Sequence, residues 1–161
     1  MLEVKINNKK ETISIKSKDI KEMLSDREDF ISVQDISKDV KEKNIMAFDC
    51  QLDDTMFSVE EINELLEELG EEATVEEIQI LFEDVRAFVK DITDEIESDL
   101  REQYLNDDIR CFFNVYSIDE TFTDFKLVFV ISFKNISIAS LTSLTNILGK
   151  KQLNGDSKFY S

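Results

Sequence analysis

The chain of 161 residues has no histidine, no proline and no tryptophan, and it has only three glycines. Without an imidazole, a Ser-His-Asp or Cys-His nucleophile system, a histidine-containing zinc site and a histidine general base are excluded. Gly70, Gly149 and Gly155 stand isolated from one another, so neither a GxGxxG motif nor a Walker-type phosphate loop is present. These absences remove much of hydrolase chemistry and the common nucleotide-binding loops.

The two cysteines and the apolar runs indicate a cytoplasmic protein. Cys50 and Cys111 each lie in an apolar, strand-like stretch, and their spacing suits neither a metal site nor a C-x-x-C redox pair. We therefore expect two buried thiols in a reducing compartment. Residues 1–6 alternate polar with apolar side chains, unlike a signal peptide, and the longest apolar run, 127–131, is too short to span a bilayer.

Strand patterns occupy the N-terminal part of the chain. Alternation of apolar and polar residues over 2–6 and 12–16 predicts a hairpin. Ser17 is a suitable N-cap for a short helix over 18–24. The short apolar pieces within residues 30–50 predict two further strands.

Two capped helices are predicted in the middle of the chain. A capping box at 58–61 and the stop signal Gly70 predict a helix over 59–69. A second capping box at 74–77 precedes an apolar series at helical spacing, which predicts one long helix over 75–105.

The C-terminal part returns to strands. Runs rich in Phe, Val and Ile over 110–118 and 125–134 predict a second, buried hairpin, and residues 136–148 predict a last helix that Gly149 ends. The sequence thus predicts an α+β fold, in which helices pack on an antiparallel sheet of the N-terminal hairpin and the Phe-rich hairpin 110–134. With 42% hydrophobic residues, we expect one domain over 1–161, with an acidic helical pair at 59–105 and a flexible tail at 152–161.

The formal net charge of −17 is unevenly distributed. Residues 1–50 contain 11 acids and 10 bases, and residues 101–161 contain 7 of each. Residues 51–100 contain 18 acids and only two bases, Arg86 and Lys90. Because such a chain repels phosphate backbones and anionic lipid, we expect no direct binding to nucleic acid or membranes and favour basic protein surfaces as partners.

Helical phase separates the charges of the predicted helix 75–105. At about 100° per residue, Arg86, Lys90 and Arg101 share one flank, where Glu83 and Glu97 are their expected partners. The other flank carries acids and no base. This base-free row consists of Glu77, Asp84, Asp91, Glu95 and Glu102.

Acids one or two helical turns apart place negative charges about 6 to 10 Å apart, which is near the phosphate spacing along a nucleic acid strand. Such a face can occupy a groove lined by lysine and arginine. The candidate partner-binding residues are the outward acids of both predicted helices: Glu60, Glu61, Glu64, Glu67, Glu68, Glu71, Glu72, Glu76, Glu77, Asp84, Asp91, Asp94, Glu95 and Glu102.

A small acidic protein with its charge on helices resembles the nucleic-acid mimics that phages and mobile elements direct against host defence, of the anti-CRISPR and anti-restriction kind. The resemblance is compositional and covers the acidic helical segment 58–108. It implies a stoichiometric inhibitor without catalysis or cofactor, acting in the cytoplasm of a bacterial host cell. The implied partner is a basic nucleic-acid-binding protein: a CRISPR effector, a restriction enzyme or a nuclease toxin.

Other interpretations stay open on the sequence. The composition is also similar to that of acidic immunity proteins that block nuclease toxins, and an acidic helix face can be solvated surface alone. The Phe-rich strands are compatible with a structural module that dimerises. Asp124 and Lys126, with Asp107 or Asp108, form a loose version of the carboxylate and lysine pattern of magnesium-dependent nucleases.

Overall fold

The computed structural model describes residues 2–7, 11–40, 43–52, 75–118 and 125–160, with side chains for all of these except 75–82, 118 and 154–160. In chain order, the elements are β1 (Glu3–Asn7), β2 (Thr12–Lys16), α1 (Ser17–Ser25), β3 (Phe30–Asp35), a short 3-10 helix (Ser37–Asp39), β4 (Ile45–Leu52), α2 (Val75–Tyr104), β5 (Arg110–Ile118), β6 (Phe125–Ser132) and α3 (Ile138–Tyr160). The predicted α+β class is confirmed.

The strands form two antiparallel sheets. β1 and β2 pair only with each other, whereas the other four strands form a sheet in the order β3-β4-β6-β5. The N-terminal hairpin therefore does not extend the sheet of the Phe-rich hairpin as expected. Instead, it lies beside α1: the Leu2 N–H donates to Ser17 Oγ and the Ser17 N–H donates to the Leu2 carbonyl.

Hydrophobic clusters lie on both faces of the four-stranded sheet. One face packs against the hairpin, α1 and α2, where Ile15, Leu24 and Ile96 are buried among side chains of β4 and β6. The opposite face packs against α3, through Leu141 and Leu148. The sheet is therefore the middle of three layers, which explains why the central strands β4 and β6 are apolar on both faces.

The predicted long helix is confirmed by α2. Both begin at residue 75, and α2 ends at Tyr104, one residue before the predicted end. Val85, Val89, Ile92, Ile96 and Leu100 recur at helical spacing, and all of them are buried. Apolar burial along this stripe stabilises the helix against the repulsion of its acids. The predicted helix 59–69 lies outside the described residues.

The last helix differs from the prediction at its C-terminal end. We expected Gly149 to end it, but α3 continues through Gly149 to Tyr160. Gly149 is buried against β5, so its small size serves a close approach of helix and sheet. The flexibility of the tail 152–161 stays a prediction.

Two smaller expectations concern the interior and membranes. Cys50 and Cys111 are both buried and unpaired, as predicted. None of the helices in the described ranges combines the length and the apolar composition that crossing a bilayer requires.

Candidate functional site

The candidate site is the outer face of α2. One side of this helix is buried in the core, through Val85, Val89, Ile92, Ile96 and Leu100. The residues half a turn away from this stripe therefore face solvent. The acids on the exposed side, among the described side chains, are Glu83, Asp84, Asp91, Asp94, Glu95, Asp99 and Glu102.

Four members of the base-free row have described side chains, and all four are exposed: Asp84, Asp91, Glu95 and Glu102. Asp84, Asp91 and Glu102 form no ion pair within the described part of the chain. Asp84 and Asp91 are seven residues apart, which corresponds to about 10 Å along the helix axis, and Asp91 and Glu102 are eleven residues apart, which corresponds to about 16 Å. Asp84, Asp91 and Glu102 thus form a series of charges, on one rigid helix, that have no ion-pair partner among the described residues.

Glu95 differs from the rest of the row. Its Oε1 lies 3.4 Å from the Nη2 of Arg27, in the loop that follows α1. Arg27 also donates from Nε to Oδ2 of Asp29 at 2.8 Å. The flank has no base of its own, as the sequence shows, but a residue distant in sequence places one beside Glu95, so Glu95 is not an uncompensated charge.

The opposite flank of α2 is charge-balanced. Lys90 Nζ donates to Oδ2 of Asp94 at 2.8 Å, and this hydrogen bond raises the pKa of Lys90. Arg101 and Glu97 form the predicted ion pair, with Nη2 of Arg101 lying 3.7 Å from Oε2 of Glu97. Asp94, one of the candidate partner-binding residues, is therefore already engaged by a base from the preceding turn.

Glu97 has a second role that the sequence does not indicate. Its Oε1 accepts a hydrogen bond of 2.9 Å from the backbone N–H of Cys111, the second residue of β5. Arg101 in turn donates from Nε to the carbonyl of Ile109 at 2.8 Å. These two side chains join the balanced flank of α2 to the beginning of β5, and no spacing rule predicts contacts across 14 and 8 residues.

The C-terminal end of α2 borders a shallow concavity of about 420 Å³. Its lining includes Asp94, Ser98, Glu102 and Asp107, together with the exposed side chain of Leu105. Glu97 and Arg101, which pair with each other, also line it. Glu102 and Asp107 are its acids without an ion-pair partner among the described residues, and they can contact a cationic side chain of a partner.

The remaining candidate acids cannot be placed as side chains. Glu60, Glu61, Glu64, Glu67, Glu68, Glu71 and Glu72 lie outside the described residues, and Glu76 and Glu77 lie in the first turn of α2, where only the backbone is described. The predicted acidic surface is therefore described only along α2 from residue 83 onward.

The residues of the nuclease interpretation are not brought together. Arg110 pairs with Ser132 and Ser117 pairs with Lys126. Lys126 of β6 therefore lies beside the C-terminal end of β5, whereas Asp108 lies two residues before the N-terminal end of β5. Asp124 lies outside the described residues. Within the described ranges, no group of three or more metal-ligating side chains is present.

Comparisons with known proteins do not identify a family. No protein-family model matches the chain, and neither a curated protein nor a solved structure shows significant similarity to it.

Proposed function

We propose that this chain is a stoichiometric protein inhibitor that places an acidic helical face in the basic nucleic-acid-binding groove of a bacterial defence enzyme, either a CRISPR effector or a restriction enzyme. It acts by mimicry of DNA in the cytoplasm of the host cell, without catalysis or cofactor. The observation that carries the proposal is the row of Asp84, Asp91 and Glu102, which are exposed and form no ion pair with any described residue.

The rigidity of α2 supports this function. The buried stripe fixes the helix, so the carboxylates are held at defined axial positions before a partner binds. A preorganised row loses less conformational freedom on binding than charges on a flexible loop. Charge of one sign on one flank also costs stability within the helix, by a few tenths of a kcal/mol per close pair, and a binding role gives a reason for this cost.

Charge reversal with a matched control tests the proposal. The row variant carries Asp84→Lys, Asp91→Lys and Glu102→Lys, and the control variant carries Glu22→Lys, Asp26→Lys and Glu28→Lys. All six acids are exposed, so both variants have the same net charge. The probes are a purified restriction endonuclease and a purified Cas9-type effector, and the measurements are binding by biolayer interferometry and cleavage of duplex DNA.

We expect the wild type and the control variant to bind a probe and inhibit cleavage. The row variant should lose at least about tenfold in affinity, because several close charge contacts change sign. Equal losses in the two variants would show that only net charge matters, and absence of binding to both probe enzymes would overturn the proposal. Binding to a purified nuclease toxin, used as a third probe, and to neither of the other two would instead identify an immunity protein.

Salt dependence separates a charged interface from an apolar one. Affinity should fall steeply as ionic strength rises, because screening weakens contacts between exposed charges. Duplex DNA should compete with the protein for the same groove. An affinity that does not change with salt would contradict mimicry of DNA.

A further inference from the structure

Strand β5 is an edge strand of the four-stranded sheet, so the backbone groups along one of its two edges face away from β6. The N–H of Cys111 identifies that side, because it donates to Glu97 on α2 and not to the sheet. Since backbone groups alternate in direction along a strand, the N–H and C=O groups of Phe113 and Val115 point to the same outer side. Among the described residues, no backbone hydrogen bond outside the ladders involves either of them.

The first part of this outer edge, up to Val115, lacks the features that usually prevent strands from pairing between molecules. Natural edge strands carry charges, prolines or bulges, but β5 has no charged residue between Cys111 and Ile118, and the chain has no proline. A bulge at Tyr116 interrupts the ladder after Val115, so the regular part of the edge ends there. Among the described residues, nothing pairs with the outer backbone groups of Phe113 and Val115, and the side chains of residues 112–115 are only half-buried.

A concavity of about 430 Å³ lies along the first part of this edge. Phe112 and Phe113 line it from β5, and Ile138 of α3, a residue that is 61% exposed, lines it as well. The charged residues that line it are three bases and two acids: Lys90, Arg101, Arg110, Asp94 and Glu97. The edge thus has none of the negative excess of the whole chain.

We propose that β5 pairs antiparallel with β5 of a second copy of this chain, forming a two-fold dimer with one continuous sheet. Phe113 and Val115 lie on either side of Asn114. A two-fold axis at Asn114 therefore places Phe113 of each copy opposite Val115 of the other copy. Each of these two residue pairs exchanges two backbone hydrogen bonds, so four form in all.

Charge distribution permits this approach although each copy has a net charge of −17. The balanced flank of α2, with Lys90, Asp94, Glu97 and Arg101, borders the β5 edge. The base-free row lies on the other flank, where Glu95 contacts Arg27 near the beginning of β3. The uncompensated acids of the two copies therefore point away from the shared edge, which limits their repulsion.

A disulfide tests the register directly. Residues opposite each other without backbone hydrogen bonds have Cα atoms about 4.5 Å apart, which is within disulfide range. Asn114→Cys should therefore form a covalent dimer under mild oxidation, whereas Ser98→Cys, at an exposed position of α2, should not. The natural thiols are buried and do not compete. Equal cross-linking of the two variants, or none at Asn114→Cys, would overturn the proposal.

Two single proline substitutions, a test variant and its control, probe the edge without a cross-link. Val115→Pro removes an outward N–H, and Val33→Pro is its control on the other edge strand. Val33 lies opposite Cys50, between the residues of β3 whose partners are Asp49 and Gln51. Ala47 accepts from the Ile36 N–H, so alternate residues of β4 bond to β3 and the Val33 N–H points outward.

Sedimentation equilibrium at high ionic strength should give the dimer mass for the wild type and Val33→Pro, and the monomer mass for Val115→Pro with an unchanged circular dichroism spectrum. A monomeric wild type, or a folded Val115→Pro that stays dimeric, would overturn the proposal. If Val115→Pro does not fold, the Asn114→Cys cross-link decides. None of these readouts depends on an inhibitor target, so this proposal and the proposed function can fail separately.

Discussion

Gly149 of α3 packs directly against Tyr116 of β5. A Cβ atom added to Gly149 would lie 3.1 Å from the Cβ of Tyr116 and 3.0 Å from Nδ2 of Asn114. Carbon atoms in favourable contact are about 3.5 to 4.0 Å apart. Because glycine has no Cβ, it allows the helix to approach the sheet closely at this position. The sequence had instead predicted that Gly149 ends the helix.

Gly149→Ala should destabilise the protein although alanine is the better helix former. The gain in helix propensity is about 1 kcal/mol, but overpacking against Tyr116 costs about 1 to 3 kcal/mol. Ser143→Ala, at an exposed position of α3, is the control and should be neutral or slightly stabilising. Urea unfolding measures both variants, and a more stable Gly149→Ala would contradict the close approach.

Glu97 should stabilise the junction between α2 and β5. Glu97→Ala removes the acceptor of the Cys111 N–H and the partner of Arg101, so we expect a loss of about 1 to 3 kcal/mol in the free energy of unfolding. Glu97→Gln keeps an acceptor oxygen and should lose less. The exposed neighbour Asp99 is the control, and Asp99→Ala should change stability by less than about 0.5 kcal/mol. Equal effects of all three substitutions would refute this role.

Asp35 should make stability depend on pH. Burial raises the pKa of Asp35, but hydrogen bonds from Ser17 and Ser37 outweigh it and hold the pKa below its usual value. A lowered folded-state pKa stabilises the protein above the unfolded-state value of about 3.9, and this contribution is lost as the pH falls through the folded-state pKa.

The variant Asp35→Asn isolates that contribution. The wild type should be the more stable protein at neutral pH, and the difference in unfolding free energy should shrink as the pH falls below about 4. Asp26→Asn, at an exposed position, controls for the loss of one negative charge. A difference between wild type and Asp35→Asn that stays constant down to the acid transition would contradict the assignment.

Both cysteines should be unreactive in the folded protein. Burial is the main cause that raises the pKa of the Cys50 and Cys111 thiols, and Asp49 and Glu97 raise them further. Because the thiolate is the reactive form, Ellman's reagent should not modify the native chain at about pH 8, and should modify both thiols in guanidinium chloride. Ser98→Cys supplies an exposed thiol that should react at once. Rapid modification of the native wild type would contradict the burial.

Local patterns predicted the elements that depend on periodicity. The buried stripe of α2 and the strands β1, β2, β5 and β6 follow from the spacing of apolar residues, because that spacing decides which face can be buried. The end of α3 could not be predicted, since Gly149 has the same local sequence signal whether it ends a helix or touches a strand. The separation of the N-terminal hairpin from the main sheet likewise depends on packing against α1.

In the candidate site, too, the sequence predicted the features that depend on helical spacing and missed the contacts between distant elements. Helical phase placed Asp84, Asp91 and Glu102 on one exposed flank, and the structure agrees. It did not identify Arg27 beside Glu95 or the bond from Cys111 to Glu97. These contacts join elements that no local spacing relates.

By itself, the sequence determined the excess of acids in residues 51–100, the absence of imidazole chemistry and the amphipathic character of α2. These depend on residue identity and on the repeat of a single helix. Only the tertiary structure decided which acids stay uncompensated and that β5 is an edge strand. Long-range packing brings Arg27 to α2 and sets the strand order, and neither follows from the neighbours of a residue along the chain.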